Sequence, residues 1–337
     1  MLFMREIAGH GQIVRTLLNA VLNERVAHAY LFAGPEGVGK ATTALAFARA
    51  LLCARPAAGD ACGECRECRQ VEHANHPDFN YVRPGGSSIK IEQVREIQRK
   101  VTFCSYQGGR KVYLIEQAET MTAEAVNCLL KTLEEPPGGT VFIMLSAFPQ
   151  ALPPTILSRC QQYIFKPIPG HELTSSLIKL RGLAREEARL LAAFSGGSMG
   201  KALAYATGSF QKERAAASGL AAALREAGVL EALEMAEKLS KARENILNLL
   251  EMLICWYRDI LIWRETGEER LLFSPDQVAT VKREAGHYET GRLVEAIETI
   301  EEIKNKIYGN ANTRLALEAL FLRLAGGING ARTDRGG

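Results

Sequence analysis

Little net charge separates the basic from the acidic residues of this chain, a formal +3 over 337 residues. That excludes a coat of positive charge over the whole molecule and leaves only a local basic face as a route to nucleic acid. No uninterrupted apolar run reaches the length that spans a bilayer. The N-terminus, with Arg5 and Glu6 so early, lacks the apolar core of a signal peptide. A cytoplasmic location is therefore expected, with the eight cysteines as thiols or metal ligands rather than disulfides. Past Pro169 the chain also lacks any convincing strand. What it has is 47% hydrophobic residues, enough for a substantial core shared among two or three domains.

The stretch from Leu31 to Thr42 organises the rest. A short apolar strand runs into a glycine-rich turn and then a helix, and Gly34, Gly37 and Gly39 allow successive N–H groups to point at an anion while Lys40 adds a charge at the helix N-terminus. The pattern G-x-x-x-x-G-K is the Walker A core. Its next position should be Ser or Thr for magnesium, and here it is Ala41; Thr42 is turned about 100° away along the helix. An ordinary strand–turn–helix corner is the plainer alternative, which three spaced glycines before a lysine disfavour.

The helix opened by that loop carries Leu45, Ala46, Ala48, Leu51 and Leu52 and gives way to a loop near Pro56 and Gly59. There Cys53, Cys62, Cys65 and Cys68 follow a C-x8-C-x2-C-x2-C spacing that suits four thiolates on one tetrahedral ion. Structural zinc is expected, because four cysteines leave no open position for a catalytic water; four free thiols are the alternative. His73 and His76 are expected as plain surface or loop residues, and Cys104, Cys128, Cys160 and Cys255 as dispersed core or incidental thiols.

Before the cradle, Ile7 to Leu22 reads as a helix with Ile13, Leu17, Leu18, Val21 and Leu22 in its stripe, and Ala27 to Ala33 as a buried strand. Beyond the cysteines come a strand at Phe79–Val82, an amphipathic helix at Lys90–Val101, a turn at Gly108-Gly109 and a buried strand at Lys111–Ile115 that ends in Glu116-Gln117. A working P-loop ATPase presents a carboxylate for magnesium at such a strand end, commonly followed by one that orients water. Glu116 can serve as the first; Gln117 cannot take a proton. Thr122 is expected to cap a helix with Val126, Leu129, Leu130 and Leu133 on one face, before strands at Val141–Ser146 and Tyr163–Phe165. Alternating strands and helices imply a parallel α/β sheet.

From Leu173 the texture is helical: about three short helices broken at Gly182 and Gly196-Gly197, then longer ones. Glu244 to Trp263 aligns Ile246, Leu249, Leu250, Leu253, Ile254, Tyr257, Ile260 and Leu261, and Leu315 to Leu324 is mostly apolar. Such stripes pack into a helical core or against another subunit. Residues from Gly326 read as a frayed tail.

The Walker core and the four cysteines occur here together with Leu129-Leu130-Lys131-Thr132-Leu133-Glu134-Glu135-Pro136-Pro137 and Ser158-Arg159-Cys160. In that combination the sequence resembles the bacterial clamp-loader ATPases, most strongly from about Gly9 to Phe165, with Asn310-Ala311-Asn312 similar to the end of that family's collar. The resemblance implies an AAA+ α/β module at 1–166 carrying the cysteine insertion 53–68, a helical lid at 167–207, an all-α collar or oligomerisation domain at 208–328 and a disordered tail at 329–337. Gamma/tau and delta loader subunits are the implied partners, with the sliding clamp and primer–template DNA reached through the complex and no membrane. Motor members of the family carry Lys-Thr, Asp-Glu and a lid Gly-Ser-x-Arg. This chain has Lys40-Ala41, Glu116-Gln117 and Gly197-Ser198-Met199-Gly200, with only Lys201 nearby. Three losses with Ser158-Arg159-Cys160 intact imply a rigid, non-motor member that lends Arg159 to a neighbour's ATP and does not itself turn over ATP; polymerase activity would reside in another subunit. Whether ATP or ADP occupies the pocket is left open by the sequence. The alternatives are an active ATPase using Thr42 or ordered water, and a scaffold or DNA-binding protein with a relic pocket.

Overall fold

The computed structural model describes residues 3–103, 105–106, 109–208, 210–241, 246–309 and 311–326. They fall into two compact units, one reaching to Leu203 and one beginning at Ala204. The first is α/β. Its strands β1 (Ala29–Ala33), β2 (Phe79–Val82), β3 (Lys111–Ile115), β4 (Thr140–Ser146) and β5 (Gln161–Ile164) form one parallel sheet in the order β2-β3-β4-β1-β5. The helices of this unit are α1 (Gly11–Leu22), α2 (Lys40–Leu52), α3 (Arg66–Glu72), α4 (Ile91–Val101), α5 (Ala123–Glu134), α6 (Pro154–Leu157), α7 (Gly170–Arg181) and α8 (Arg185–Phe194), with α9 (Met199–Tyr205) at its end.

Strand periodicity explains the two cores. Tyr30, Phe32, Val112, Leu114, Val141, Ile143 and Leu145 point to one face, where α1 and α2 cover them; Leu31, Tyr113, Ile115, Phe142 and Met144 point to the other, under α4 and α5. Burial on both faces is why β1, β3 and β4 read as continuous apolar runs rather than alternating ones. Thr122 caps α5 as its position suggests, its hydroxyl accepting the Ala125 N–H at 3.3 Å.

Several boundaries differ from the sequence reading. The first helix starts at Gly11, not Ile7, because Gly9 and His10 are tied elsewhere: the Gly9 N–H donates to Glu172 at 3.0 Å, and His10 Nε2 meets the Val38 carbonyl at 2.8 Å. Its buried stripe is Val14, Leu17 and Val21, while Leu22 is exposed. The last strand is Gln161–Ile164 rather than Tyr163–Phe165; it is a polar, exposed edge strand without an apolar signature. The cysteine loop, finally, contains the short helix α3, which the sequence reading left as loop.

The second unit is all α: α10 (Phe210–Glu226), α11 (Val229–Lys241), α12 (Ile246–Thr266), α13 (Val278–Ala285), α14 (Thr290–Tyr308) and α15 (Thr313–Gly326). Ile246, Leu250, Leu253, Tyr257 and Ile260 of the expected stripe are buried, and Leu249, Ile254 and Leu261 are partly so. Trp256 and Asp259 are buried as well, so α12 is enclosed on more than one face. Asp259 is compensated by the Phe273 and Ser274 N–H groups, each at 2.8 Å, although burial still raises its pKa. No described helix is long and apolar enough to cross a membrane. Gly108, Cys104, the Glu244 start of α12, Asn310 and the tail 329–337 lie outside the described residues.

Candidate nucleotide cradle, metal-holding cluster and arginine edge

The turn from β1 into α2 has the cradle form that its glycines require. Gly34 has φ +146°, and a Cβ there would stand 2.1 Å from the Phe165 carbonyl oxygen; Gly37, at φ +72°, leaves room for Ser198 Oγ, which a Cβ would meet at 2.2 Å. Both glycines are thus needed by packing as well as by any anion. Lys40 folds back over the loop, donating to the carbonyls of Gly34 and, at 2.7 Å, Pro35. Burial lowers its pKa, opposed by the nearby charges of Glu36, Glu119 and Glu116.

A cavity of about 410 Å³ opens beside this turn, walled by Gly37, Lys40, Ala41, Glu116, Gln117 and Glu119 among others. A second of about 220 Å³ shares Gly39, Thr42 and Met199 with it and is lined by Ile7, Ala8, Ile168 and Leu180. One has a polar end formed by the turn and its lysine; the other is largely apolar. Thr42, though turned from the Ala41 direction, does reach both walls.

The hydrolytic positions are a poor match for magnesium. Ala41 has no hydroxyl, and Glu116 is already engaged: its Oε2 accepts from Tyr81 Oη at 2.8 Å and Arg83 Nε at 3.0 Å, with the Arg83 guanidinium 4.2 Å over the Tyr81 ring. Gln117 sits in the left-handed region, φ 51°, and is exposed. Glu119 accepts the Ala147 N–H at 2.9 Å through Oε1, and its other oxygen has no partner among the described residues. The lid closes directly on the cradle, since the Gly200 N–H donates to the Gly37 carbonyl at 2.9 Å and Ser198 Oγ donates to the Glu36 carbonyl at 3.1 Å. Tyr81, Arg83, Glu36, Glu119 and the apolar cavity were not found from the sequence.

Cys53, Cys62, Cys65 and Cys68 do converge. Their sulfurs lie within 4.8 Å of one another, with Cys53 to Cys65 at 3.9 Å and Cys62 to Cys68 at 4.0 Å. Four thiolates about 2.3 Å from a tetrahedral ion stand about 3.8 Å apart, so the donor set fits a metal. Backbone N–H groups of Cys62, Cys65 and Cys68 donate to Cys53, Cys62 and Cys65 sulfurs at 3.3–3.4 Å, an arrangement that favours thiolates. Hydrogen bonds from the Glu64 and Cys65 backbone lower the Cys62 pKa to about 6, whereas burial raises those of Cys53 and Cys68. His73 is exposed as expected. His76 is not a surface residue: it is buried, and its Nδ1 accepts the Asp78 N–H at 3.1 Å in the turn before β2. Neither histidine joins the cluster.

Arg159 follows α6, at the end of Pro153–Cys160, and is about one-third exposed. Its Nη2 pairs with Glu134 at 2.6 Å, while Nη1 donates to the Thr155 carbonyl at 3.0 Å and Ser158 Oγ at 3.3 Å. Arg159 thus has a local carboxylate partner. Burial raises the Cys160 thiol to about 12, marking it as a packing group rather than a nucleophile.

The parallel sheet, the glycine cradle at the end of its β1 strand and the helical lid define a P-loop protein of the AAA+ kind. The model of the family described as "DNA polymerase III, delta subunit" matches residues 9–169, and that of its C-terminal region matches 210–326. The delta-prime subunit of DNA polymerase III from Bacillus subtilis is 30% identical over 94% of this chain and 96% of its own length. The delta-prime subunit from Pseudomonas aeruginosa is 44% identical over 51% of this chain and 53% of its own, and the tau subunit from B. subtilis 28% identical over 95% and 61%. The chain belongs to the delta-prime family of DNA polymerase III clamp-loader subunits.

Proposed function

We propose that this chain is the stator of a loader: it assembles with gamma/tau and delta subunits, supports their ATP-dependent placement of a sliding clamp on primer–template DNA in the cytoplasm, and turns over no ATP itself. The observation that carries this reading is the pairing of Glu116 with Arg83 and Tyr81 beside a hydroxyl-free Ala41, in a chain whose Arg159 retains unused donors. A guanidinium stabilises charge on a transferring γ-phosphate without needing deprotonation, so Arg159 would serve the site of the adjoining subunit. In this reading residues 1–166 form the AAA+ module, 167–207 the lid and 208–328 the collar that meets sister subunits. The polar cavity suits phosphates and the apolar one a base, so ADP or ATP can be held without being cleaved.

Zinc is the proposed occupant of the four-cysteine cluster. When bound it cross-links the thiolates and neutralises them; the chain's own part is to bring Cys53 at the end of α2 against the Cys62–Cys68 segment and to orient N–H groups at the sulfurs.

The test is hydrolysis by a reconstituted loader. Arginine fingers supply about 10³–10⁵ in rate in well-studied NTPases, and a complex with several ATP sites loses less overall. Arg159→Ala is expected to assemble normally yet lower DNA-dependent hydrolysis and clamp loading, with poor rescue by Arg159→Lys; the isolated chain should turn over no ATP. Normal loading rates by an assembled Arg159→Ala complex, or DNA-stimulated hydrolysis by the isolated chain that Lys40→Ala removes, would refute the reading.

A further inference from the structure

The Leu-Leu-Lys-Thr-Leu-Glu-Glu-Pro-Pro segment lies at the C-terminal end of α5 and has no part in the cradle chemistry described above. Its Glu134 nevertheless reaches Arg159, 25 residues further on, with an Nη2–Oε1 distance of 2.6 Å. We propose that Glu134 is a positioning residue for Arg159, presetting the guanidinium for an anionic phosphate outside this chain; this rests on the trans-acting reading of Arg159. The hydrogen inventory supports it. Arginine has five N–H donors in a rigid planar fork. Thr155 and Ser158 take those of Nη1 and Glu134 takes one of Nη2. Nε–H and the second Nη2 hydrogen have no partner among the described residues, and Nε and Nη2 share the edge that a phosphate accepts bidentately.

A stability role explains this geometry less well. Glu134 is half exposed and Arg159 one-third exposed, so the pair is too solvated to contribute much to folding. Its larger effect is to hold a long side chain in one rotamer, which removes ordering entropy from the moment of engagement. Glu134 occupies one Nη2 hydrogen, which leaves Nε–H and the other Nη2 hydrogen for the phosphate, so the pair need not break before the finger acts.

The experiment uses the reconstituted loader, with assembly checked by size exclusion and DNA-dependent ATP hydrolysis measured at saturating and limiting ATP. Glu134→Gln keeps the shape and loses the charge; it is expected to assemble and melt as the unmutated subunit does, and to lower kcat about threefold to tenfold at the dependent site with KM little changed. Glu134→Asp is expected to recover only part of that. In the background of Arg159→Ala, Glu134→Gln should have no further effect, because its role acts through the arginine. An unchanged kcat in Glu134→Gln while Arg159→Ala is slow overturns the positioning role and leaves the finger standing. A further fall in the double variant shows that Glu134 works by another route and overturns it equally. If Arg159→Ala itself is silent, the trans-acting reading fails and the inference with it.

Discussion

The Walker cradle and the cysteine cluster stand at opposite ends of α2, and they have kept different things. The cradle keeps its backbone form while the side chains that magnesium and water require are missing or already engaged: Ala41 has no hydroxyl, Gln117 no carboxylate to take a proton, and Glu116 is held by Arg83. At the cluster, all four sulfurs lie within 4.8 Å of one another, and backbone N–H groups donate to three of them. The difference teaches that catalytic side chains can be lost one by one without disturbing a fold, whereas a cross-linking set fails as a whole. The cradle's glycines persist for a further reason. Gly34 lies against the Phe165 carbonyl and Gly37 against Ser198 of the lid, so the phosphate-binding turn is also a packing surface.

The largest effect expected is at the cluster. Structural zinc contributes about 10–16 kcal/mol of apparent binding energy in small zinc peptides. Purified protein should contain about one zinc per chain, and chelation or Cys65→Ser should release it and loosen the 53–68 insertion. Because Cys53, Cys65 and Cys68 join the core shared with α1 and α2, the melting temperature of the first unit should fall as well. Metal analysis alongside thermal melts checks this; well-folded protein without zinc, melting at the same temperature, would sink it.

Within the cradle, two glycines separate packing from backbone strain. Gly34→Ala combines a Cβ 2.1 Å from a backbone oxygen with a left-handed φ, and should cost about 2–5 kcal/mol. Gly39→Ala has open space and φ +107°, so only strain remains, about 1–3 kcal/mol. Denaturant melts in the absence of nucleotide measure both. Equal costs would show that the cradle is not a packing surface and would collapse the comparison.

The smallest effect concerns His10, whose Nε2 holds the Val38 carbonyl of the cradle. Burial lowers its pKa, against opposing contributions from that hydrogen bond and from Glu172. Below about pH 6.5 the unfolded chain takes up a proton that the folded one resists, so stability is lost as pH falls, by no more than about 1.4 kcal/mol per pH unit from this group. The stability gap between the unmutated chain and His10→Gln should therefore narrow on acidification; parallel curves would assign the pH dependence elsewhere.

Where chemistry and structure were local in sequence, they were legible. β3 falls on Lys111–Ile115 as read, because a doubly buried strand is a short apolar run, β2 falls on Phe79–Val82 through its aromatic and apolar residues, and the cysteine spacing announces its cluster before any folding is known. What was missed is held together by strand adjacency. Arg83 reaches Glu116 only because β2 pairs with β3, Val82 opposite Ile115, and no periodicity reports which strands are neighbours. The same holds for Glu134 and Arg159, visible separately as motifs but not as a pair. β5 was shifted because an exposed edge strand carries no apolar pattern, and the burial of His76, a loop residue as expected, was not foreseen because a turn histidine next to polar residues gives no sign of it.

The contact between lid and cradle also bears on whether the lost chemistry could return. At Gly200, an added Cβ would lie 3.1 Å from the Gly37 Cα, and the two glycines are joined by a backbone hydrogen bond. Restoring a hydroxyl at Ala41 needs one substitution and little room. A side chain at Gly200 asks the Gly37 backbone to give by a few tenths of an ångström, at a point where the Gly200 N–H is already bonded to the Gly37 carbonyl and Ser198 to that of Glu36. The two positions are therefore unequal: a hydroxyl at Ala41 enlarges a side chain that already stands at the helix start, whereas any side chain at Gly200 presses on the backbone that joins helix to loop.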